Sequence, residues 1–199
     1  MKERSKTEIR ITDRKFFTEP AEKLARNLLG KIICRRVSDD RTIRFRITET
    51  EAYCHDDTAC HSNKYKSGNG VVSQNMIGGT LYVHYNNKDY PGSSFDIIAN
   101  ETNIGEGVLI RGGMNLDNPK EVYESQPRLL GEALQIDYNT LNQVDLLSSK
   151  EIWIADDKLE LPNEVKIQKR VGLGTADDIT EEDKNRLLRF TLILTKHGE

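Results

Sequence analysis

The chain has 199 residues, enough for one well-cored domain, with 36% hydrophobic and 31% charged residues. A net charge of −3 and an isoelectric point of about 5.9 give no global basic field for nucleic-acid binding. No apolar run approaches the ~18 residues of a membrane span.

The amino-terminal Met1-Lys2-Glu3-Arg4-Ser5-Lys6 has no apolar core behind it, so no signal peptide is read. Cys34, Cys54 and Cys60 are an odd, low cysteine set, which fits a reducing cytosol. Basic residues cluster locally at Arg35-Arg36, Arg41–Arg46 and Lys64–Lys66, which leaves a one-sided patch open.

Residues 1–15 are polar and read as a loose amino-terminal arm. Pro20 suits a first helical turn. Ala21, Leu24, Ala25, Leu28 and Leu29 follow helical spacing, and Gly30 is a stop. Lys31 to Val37 reads as a strand, and Ser38-Asp39-Asp40 turns it into the strand from Arg41, a hairpin. Cys54 to Gly79 shows little periodicity, and long irregular segments in compact domains are usually functional or disordered.

Thr80 to Tyr85 is a strand and Asn86 to Asp89 a turn. Phe95–Ala99 and Val108–Arg111 are short strands, and Gly112 to Gln126 reads as a loop. Arg128 to Gln135 is a short helix. Strands follow at Ile152–Ile154, Val165–Val171 and Phe190–Leu194, with an acidic, solvent-facing stretch over Thr175–Asn185. No repeat or linker divides the chain. The expected fold is a single α+β domain over 1–199, on a curved, mostly antiparallel sheet with a few peripheral helices.

The most informative stretch is Arg41 to Tyr53. Ile43, Phe45 and Ile47 alternate with Arg44, Arg46 and Thr48, the pattern of a half-buried strand. Continued unbroken, the apolar face ends in Glu49, Glu51 and Tyr53. Carboxylates there must be paired or carry raised pKa values. Ordinary ion pairing and catalysis are both open for them.

The order of motifs then resembles the alkyladenine (3-methyladenine) DNA glycosylases of the mammalian alkylpurine type, also found in bacteria. The resemblance rests on four blocks: Phe16-Phe17 through Pro20 to Gly30; Arg46-Ile47-Thr48-Glu49-Thr50-Glu51-Ala52-Tyr53 with Ala59-Cys60-His61-Ser62; Gly79-Thr80-Leu81-Tyr82-Val83; and Gly107-Val108-Leu109-Ile110-Arg111. Weaker echoes follow in Pro127–Leu134, Arg170-Val171-Gly172 and Leu188-Arg189-Phe190. The resemblance implies that Glu51 is a general base for a water attacking the sugar C1′. Arg111 and the main-chain carbonyl of Val171 would help hold that water. Tyr53 and His61 would sandwich an extruded base, with His84 and Tyr82 completing the pocket. It also implies a monofunctional DNA repair enzyme acting as a monomer on duplex DNA with damaged purines, without cofactor, metal or membrane. Its location would be cytoplasmic, on the nucleoid in a bacterium.

Three positions depart from the family pattern. The intercalating tyrosine's ungapped position is Asn87, which leaves Tyr85 or Tyr90, and Tyr90 is favoured because Pro91-Gly92 would stiffen its loop. The pocket asparagine falls near Ile97 or Ile98. The Gly-Pro-x-Lys-Leu block reads Gln126-Pro127-Arg128-Leu129-Leu130. Two rival readings exist. One is a non-catalytic nucleic-acid binder. The other is a metallohydrolase built on Cys54-His55 and Cys60-His61, a spacing wider than zinc knuckles favour.

Overall fold

The structure is a computed structural model that describes residues 8–64, 73, 75–85, 92–159, 164–173 and 179–193. In chain order the elements are β1 (Ile9–Arg10), a 3-10 turn (Arg14–Phe16), α1 (Ala21–Leu28), β2 (Ile32–Ser38) and β3 (Arg41–Tyr53). Then come α2 (His61–Lys64), β4 (Leu81–Val83), β5 (Phe95–Ala99), β6 (Glu106–Asn115) and β7 (Val122–Tyr123). The last third holds α3 (Pro127–Ala133), α4 (Tyr138–Leu141), β8 (Ile152–Asp156), β9 (Val165–Gln168), α5 (Glu181–Asn185) and β10 (Arg189–Leu192). The fold is α+β, as the sequence indicates: one curled antiparallel sheet with short helices around it.

The sheet runs β1-β8-β2-β3-β6-β5-β4, with β10 pairing both β3 and β9, and β7 pairing β6. β3 is the axis. One edge pairs β2 over Arg41–Arg46 and then β10 over Glu49–Glu51. The other edge pairs β6 from Phe45 to Tyr53. β3 therefore has partners on both sides along most of its length, and its backbone polar groups are satisfied by ladders rather than water.

α1 covers the core face of β3, β5 and β6. Its Ala21, Leu24, Ala25 and Leu28 are buried against Phe45, Ile47, Ala52, Val108 and Ile110. The helix starts at Pro20, which caps it without a side-chain bond. One orphan donor is met from elsewhere: Glu106 Oε2 accepts from the Ala21 N–H at 2.8 Å. That bond ties the start of β6 to the start of the helix.

Several local expectations change. In the described part of the arm, residues 8–15 are ordered. Ile9 and Arg10 pair with Asp156 and Ala155, because the outer edge of β8 offers open ladder groups, and Arg10 Nη2 donates to Leu146 O at 2.6 Å. Gly112 to Gln126 is not all loop: β6 continues to Asn115, and Val122–Tyr123 pairs back on Gly113 and Met114. The irregular stretch from Cys54 holds the short helix α2, and Asp183 in the acidic stretch is buried rather than solvent-facing.

Candidate active site

Two bulges on facing strands create the site. From Ile47↔Gly113 to Glu49↔Gly112, β3 advances two residues while β6 advances one. From Glu49↔Gly112 to Thr50↔Ile110, β6 advances two, with Arg111 as the extra residue. A one-residue bulge exchanges the faces of its strand beyond it. The core face of β3 therefore passes from Ile43, Phe45 and Ile47 to Thr50 and Ala52. Thr50 Oγ1 donates to the Ala25 carbonyl on α1 at 2.9 Å, and Ala52 joins the core. Glu49, Glu51 and Tyr53 thus do not continue the apolar face, as unbroken alternation predicts. They lie on the opposite face, with Arg111 and Leu109 of β6 beside them.

Glu51 is fully buried. Its Oε2 accepts from the Tyr53 hydroxyl at 2.9 Å and from Arg111 Nη1 at 3.2 Å, and its Oε1 accepts from the Val171 N–H at 2.9 Å. Burial pushes its pKa up, against the pull of Arg111, the Val171 amide, Tyr53 and Arg170. Glu49, one pleat back, is saturated. It accepts from Ser125 N–H at 2.9 Å, Ser125 Oγ at 2.8 Å and Arg189 Nε at 2.7 Å, and pairs with Arg111 Nε at 3.3 Å. Arg111 is held between the two carboxylates, one a fixed anchor and the other facing the site.

Val171 lies beyond the end of β9 rather than inside a strand, as expected for Val165–Val171. The ladder stops at Gln168. Freed from a ladder, its amide reaches Glu51 and its carbonyl accepts from Arg111 Nη1 at 3.5 Å. Both groups point into one place, free of the ladder partners that a strand would give them. The adjoining Arg170 fixes this turn. Its buried guanidinium pairs with Asp57 and donates to Ala52 O at 3.0 Å and Asp183 O at 3.1 Å. It also sits 4.8 Å from the centre of the Tyr53 ring.

A cavity of about 220 Å³ opens beside this set, lined among others by Tyr53, His61, Tyr82, His84 and Leu109. The predicted pocket residues are therefore brought together. Arg170 covers one face of Tyr53, so that ring offers its other face to the cavity. His84 is the hub of the aromatic wall: its ring meets those of His61 and Tyr82 edge-on, each at 5.1 Å between centroids. Tyr82 is almost wholly buried and forms wall more than opening. Burial and the neighbouring Glu51 raise the Tyr53 pKa well above the ordinary phenol range, so the group stays a neutral donor.

Sequence reasoning missed two features, one in the cavity and one behind it. Neither Ile97 nor Ile98 supplies the pocket's polar group: Ile97 is in the core, and Ile98 is an apolar part of the lining. The polar side chain that β5 brings into the cavity is Asp96, 3.0 Å from His84 Nε2. Burial lowers the His84 pKa, and the Asp96 carboxylate outweighs it, so the net shift is upward. The signal was a lone charge inside the apolar run Phe95-Asp96-Ile97-Ile98. The second feature is the Arg170–Asp57 pair, whose partners lie too far apart in the chain for any spacing rule to join them.

The metal reading has no support in the geometry. His55 Nδ1 lies 2.7 Å from Glu106, whereas the Cys60 thiol meets Ser62 Oγ at 3.2 Å and Gly105 O at 3.4 Å. Among the described residues no three His, Cys, Asp or Glu side chains are grouped as a metal site. Burial raises the Cys60 thiol pKa and pushes Cys54 up to about 12, so both are neutral thiols at pH 7. Tyr90 lies outside the described residues. Tyr85, the other intercalation candidate, is exposed, with its ring 5.1 Å from that of Tyr138.

Comparison with known proteins shows the family of the chain. The family described as Methylpurine-DNA glycosylase (MPG) matches residues 15–195. A protein of Borrelia garinii subsp. bavariensis named "Putative 3-methyladenine DNA glycosylase" is 33% identical, over 89% of this chain and 94% of the relative. The DNA-3-methyladenine glycosylase of Mus musculus is 30% identical, over 84% of this chain and 56% of the relative. Matched over nearly its whole length, the chain belongs to the methylpurine-DNA glycosylase family of DNA repair enzymes.

Proposed function

We propose that this chain extrudes alkylated or deaminated purines from duplex DNA and hydrolyses their N-glycosidic bond with a water activated by Glu51. The substrates in this reading are 3-methyladenine, hypoxanthine and ethenoadenine. The observation that carries it is the buried Glu51 carboxylate with the Arg111 guanidinium and the Val171 main chain, beside an aromatic-walled cavity.

The base must leave the stack, because the C1′–N bond is out of reach in a duplex. Glu51 takes a proton from water, whose oxygen forms a bond to C1′ while the C1′–N electron pair departs with the purine. A purine alkylated at N3 or N7 carries positive charge and leaves neutral. Arg111 Nη1 and the Val171 carbonyl, 3.5 Å apart, are a donor and an acceptor suited to fix the water's orientation. Tyr53 and His61 stack on the base, and their π-faces favour a cationic one. The route is monofunctional, using water rather than an amine nucleophile. Tyr90 is assigned on sequence grounds to the vacated stack, and Tyr90→Ser should slow excision from a duplex more than from a single strand.

The decisive assay is release of hypoxanthine from a duplex by wild type and Glu51→Gln. The variant should fold and lose at least about 10²-fold in rate, the scale of a positioned general base. A rate within a few-fold of wild type would remove Glu51 from the chemistry.

A further inference from the structure

The registers of β3, β6, β5 and β4 place Glu51, Leu109, Asp96 and Tyr82 in one row. Glu51 pairs with Leu109, Leu109 with Asp96, and Asp96 with Tyr82. Residues directly opposite in antiparallel strands point to the same face. Leu109, Asp96 and Tyr82 all line the cavity, and Glu51 is joined to it through Tyr53. The next row along is Tyr53, Gly107 and Ile98, also in the lining. The cavity floor is therefore a ruled surface, with the water-activating carboxylate at one side and a second carboxylate two strands away.

Two strand spacings are roughly 10 Å. A purine with its glycosidic nitrogen at the Glu51 side lies across Leu109 and directs its far edge toward Asp96. The two oxygens of Asp96 differ. Oδ1 lies 3.0 Å from His84 Nε2. Oδ2 faces Gly107, where even an added Cβ would stand 3.6 Å away. Gly107 thus leaves the second oxygen accessible from the cavity, and an ionised carboxylate offers only acceptors.

We propose that Asp96 reads the far edge of the extruded base: its Oδ2 accepts from an N–H there, so the pocket prefers purines that carry one. The inference rests on the glycosylase reading above and adds a selectivity to it. Methylated adenine presents its amino group on that edge, and methylated guanine presents N1–H and an amino group. Both carry positive charge in DNA, which strengthens a bond to a carboxylate. Ethenoadenine has no N–H on that edge and turns a ring-nitrogen lone pair toward the site. It is the disfavoured substrate, because a desolvated acceptor would then oppose an acceptor.

The plainer role for Asp96 is to orient His84, and it makes a different prediction. Loss of orientation would slow every lesion by a similar factor. Loss of reading would change the ratio between lesions. The experiment measures release of 3-methyladenine and 7-methylguanine from methylated DNA, and of ethenoadenine from an oligonucleotide duplex, with wild type and Asp96→Asn. An asparagine amide can turn either a carbonyl or an NH₂ to the base. The ratio of methylpurine to ethenoadenine release should fall at least about tenfold, the scale of one charge-assisted hydrogen bond. Equal factors for all three bases, or no change, would overturn the role of Asp96 alone. No release of any base by wild type would overturn the glycosylase reading with it. A second measurement needs no variant: free 3-methyladenine should inhibit hypoxanthine release by wild type at about tenfold lower concentration than free ethenoadenine. Equal inhibition would also overturn the proposal.

Discussion

Glu51 combines two costs at one residue: it is fully buried, and the proposed reaction needs it as an anion. Its raised pKa means that the folded chain binds the proton more readily than the unfolded chain, whose value is near 4.5. Between those two values the folded state holds more protons, so stability falls as pH rises through that window and stays lower above it. Glu51→Gln lacks this term. The difference in melting temperature should move in favour of the variant between pH 4 and pH 7, even as base release is lost. Thermal melts at both pH values check it, and a shift toward wild type would contradict the raised pKa. Wild-type base release should fall as acid protonates Glu51. Arg111→Ala should reduce single-turnover base release more than it weakens DNA binding, since the guanidinium contacts the site carboxylate and not a surface. A loss confined to binding would make it a phosphate contact. Glu49→Gln should cost stability first, because four contacts converge on that carboxylate.

The elements carry these side chains only because β3 and β6 each hold one extra residue. Gly112 sits between the bulges. An added Cβ would stand 2.7 Å from the Tyr123 carbonyl and 3.0 Å from Glu49 Cβ, and both neighbours are fixed in the sheet. Gly112→Ala should therefore destabilise by about 1–3 kcal/mol, the usual range for overpacking, as read by denaturant unfolding. An unchanged midpoint would mean that the bulge relaxes freely. The same element marks where the sequence stops being legible. Ile43, Phe45 and Ile47 announce the strand and its core face correctly. Alternation cannot register a bulge, so it assigns Glu49, Glu51 and Tyr53 to the wrong side. Helix α1 was readable from its periodicity and from Gly30. The place of Val171 was not, because its amide and carbonyl meet Glu51 and Arg111 only with the backbone outside a ladder, and no side-chain pattern encodes that.

Across the whole molecule, residues near 50, 110 and 170 meet, and a buried polar clamp holds the last of these. Asp183 accepts from Thr58 N–H at 3.0 Å, Thr58 Oγ1 at 2.6 Å and Thr180 Oγ1 at 2.8 Å. Burial works against its ionisation, yet these bonds hold its pKa down at about 2, from an ordinary 3.8. A depressed folded pKa gives stability that is present above 3.8 and lost as pH falls through about 2. Asp183→Asn should lose roughly 2 kcal/mol near pH 6 and converge on wild type near pH 2. An equal deficit at both pH values would assign the loss to packing instead. This clamp was illegible because the acidic run Glu181-Glu182-Asp183 looks like a solvated face. The family order of motifs, by contrast, did bring Glu51, Tyr53, His61, His84, Arg111 and Val171 to one place. The pairing of β10 with Glu49–Glu51, and of the Val171 amide with Glu51, has a bearing on synthesis. Domains are made from the amino terminus onward. A nascent chain halted near residue 150 would hold its acid without the Val171 main chain or the Arg189 contact to Glu49. In the proposed reaction, base release would then wait for the segment that carries Val171 and β10.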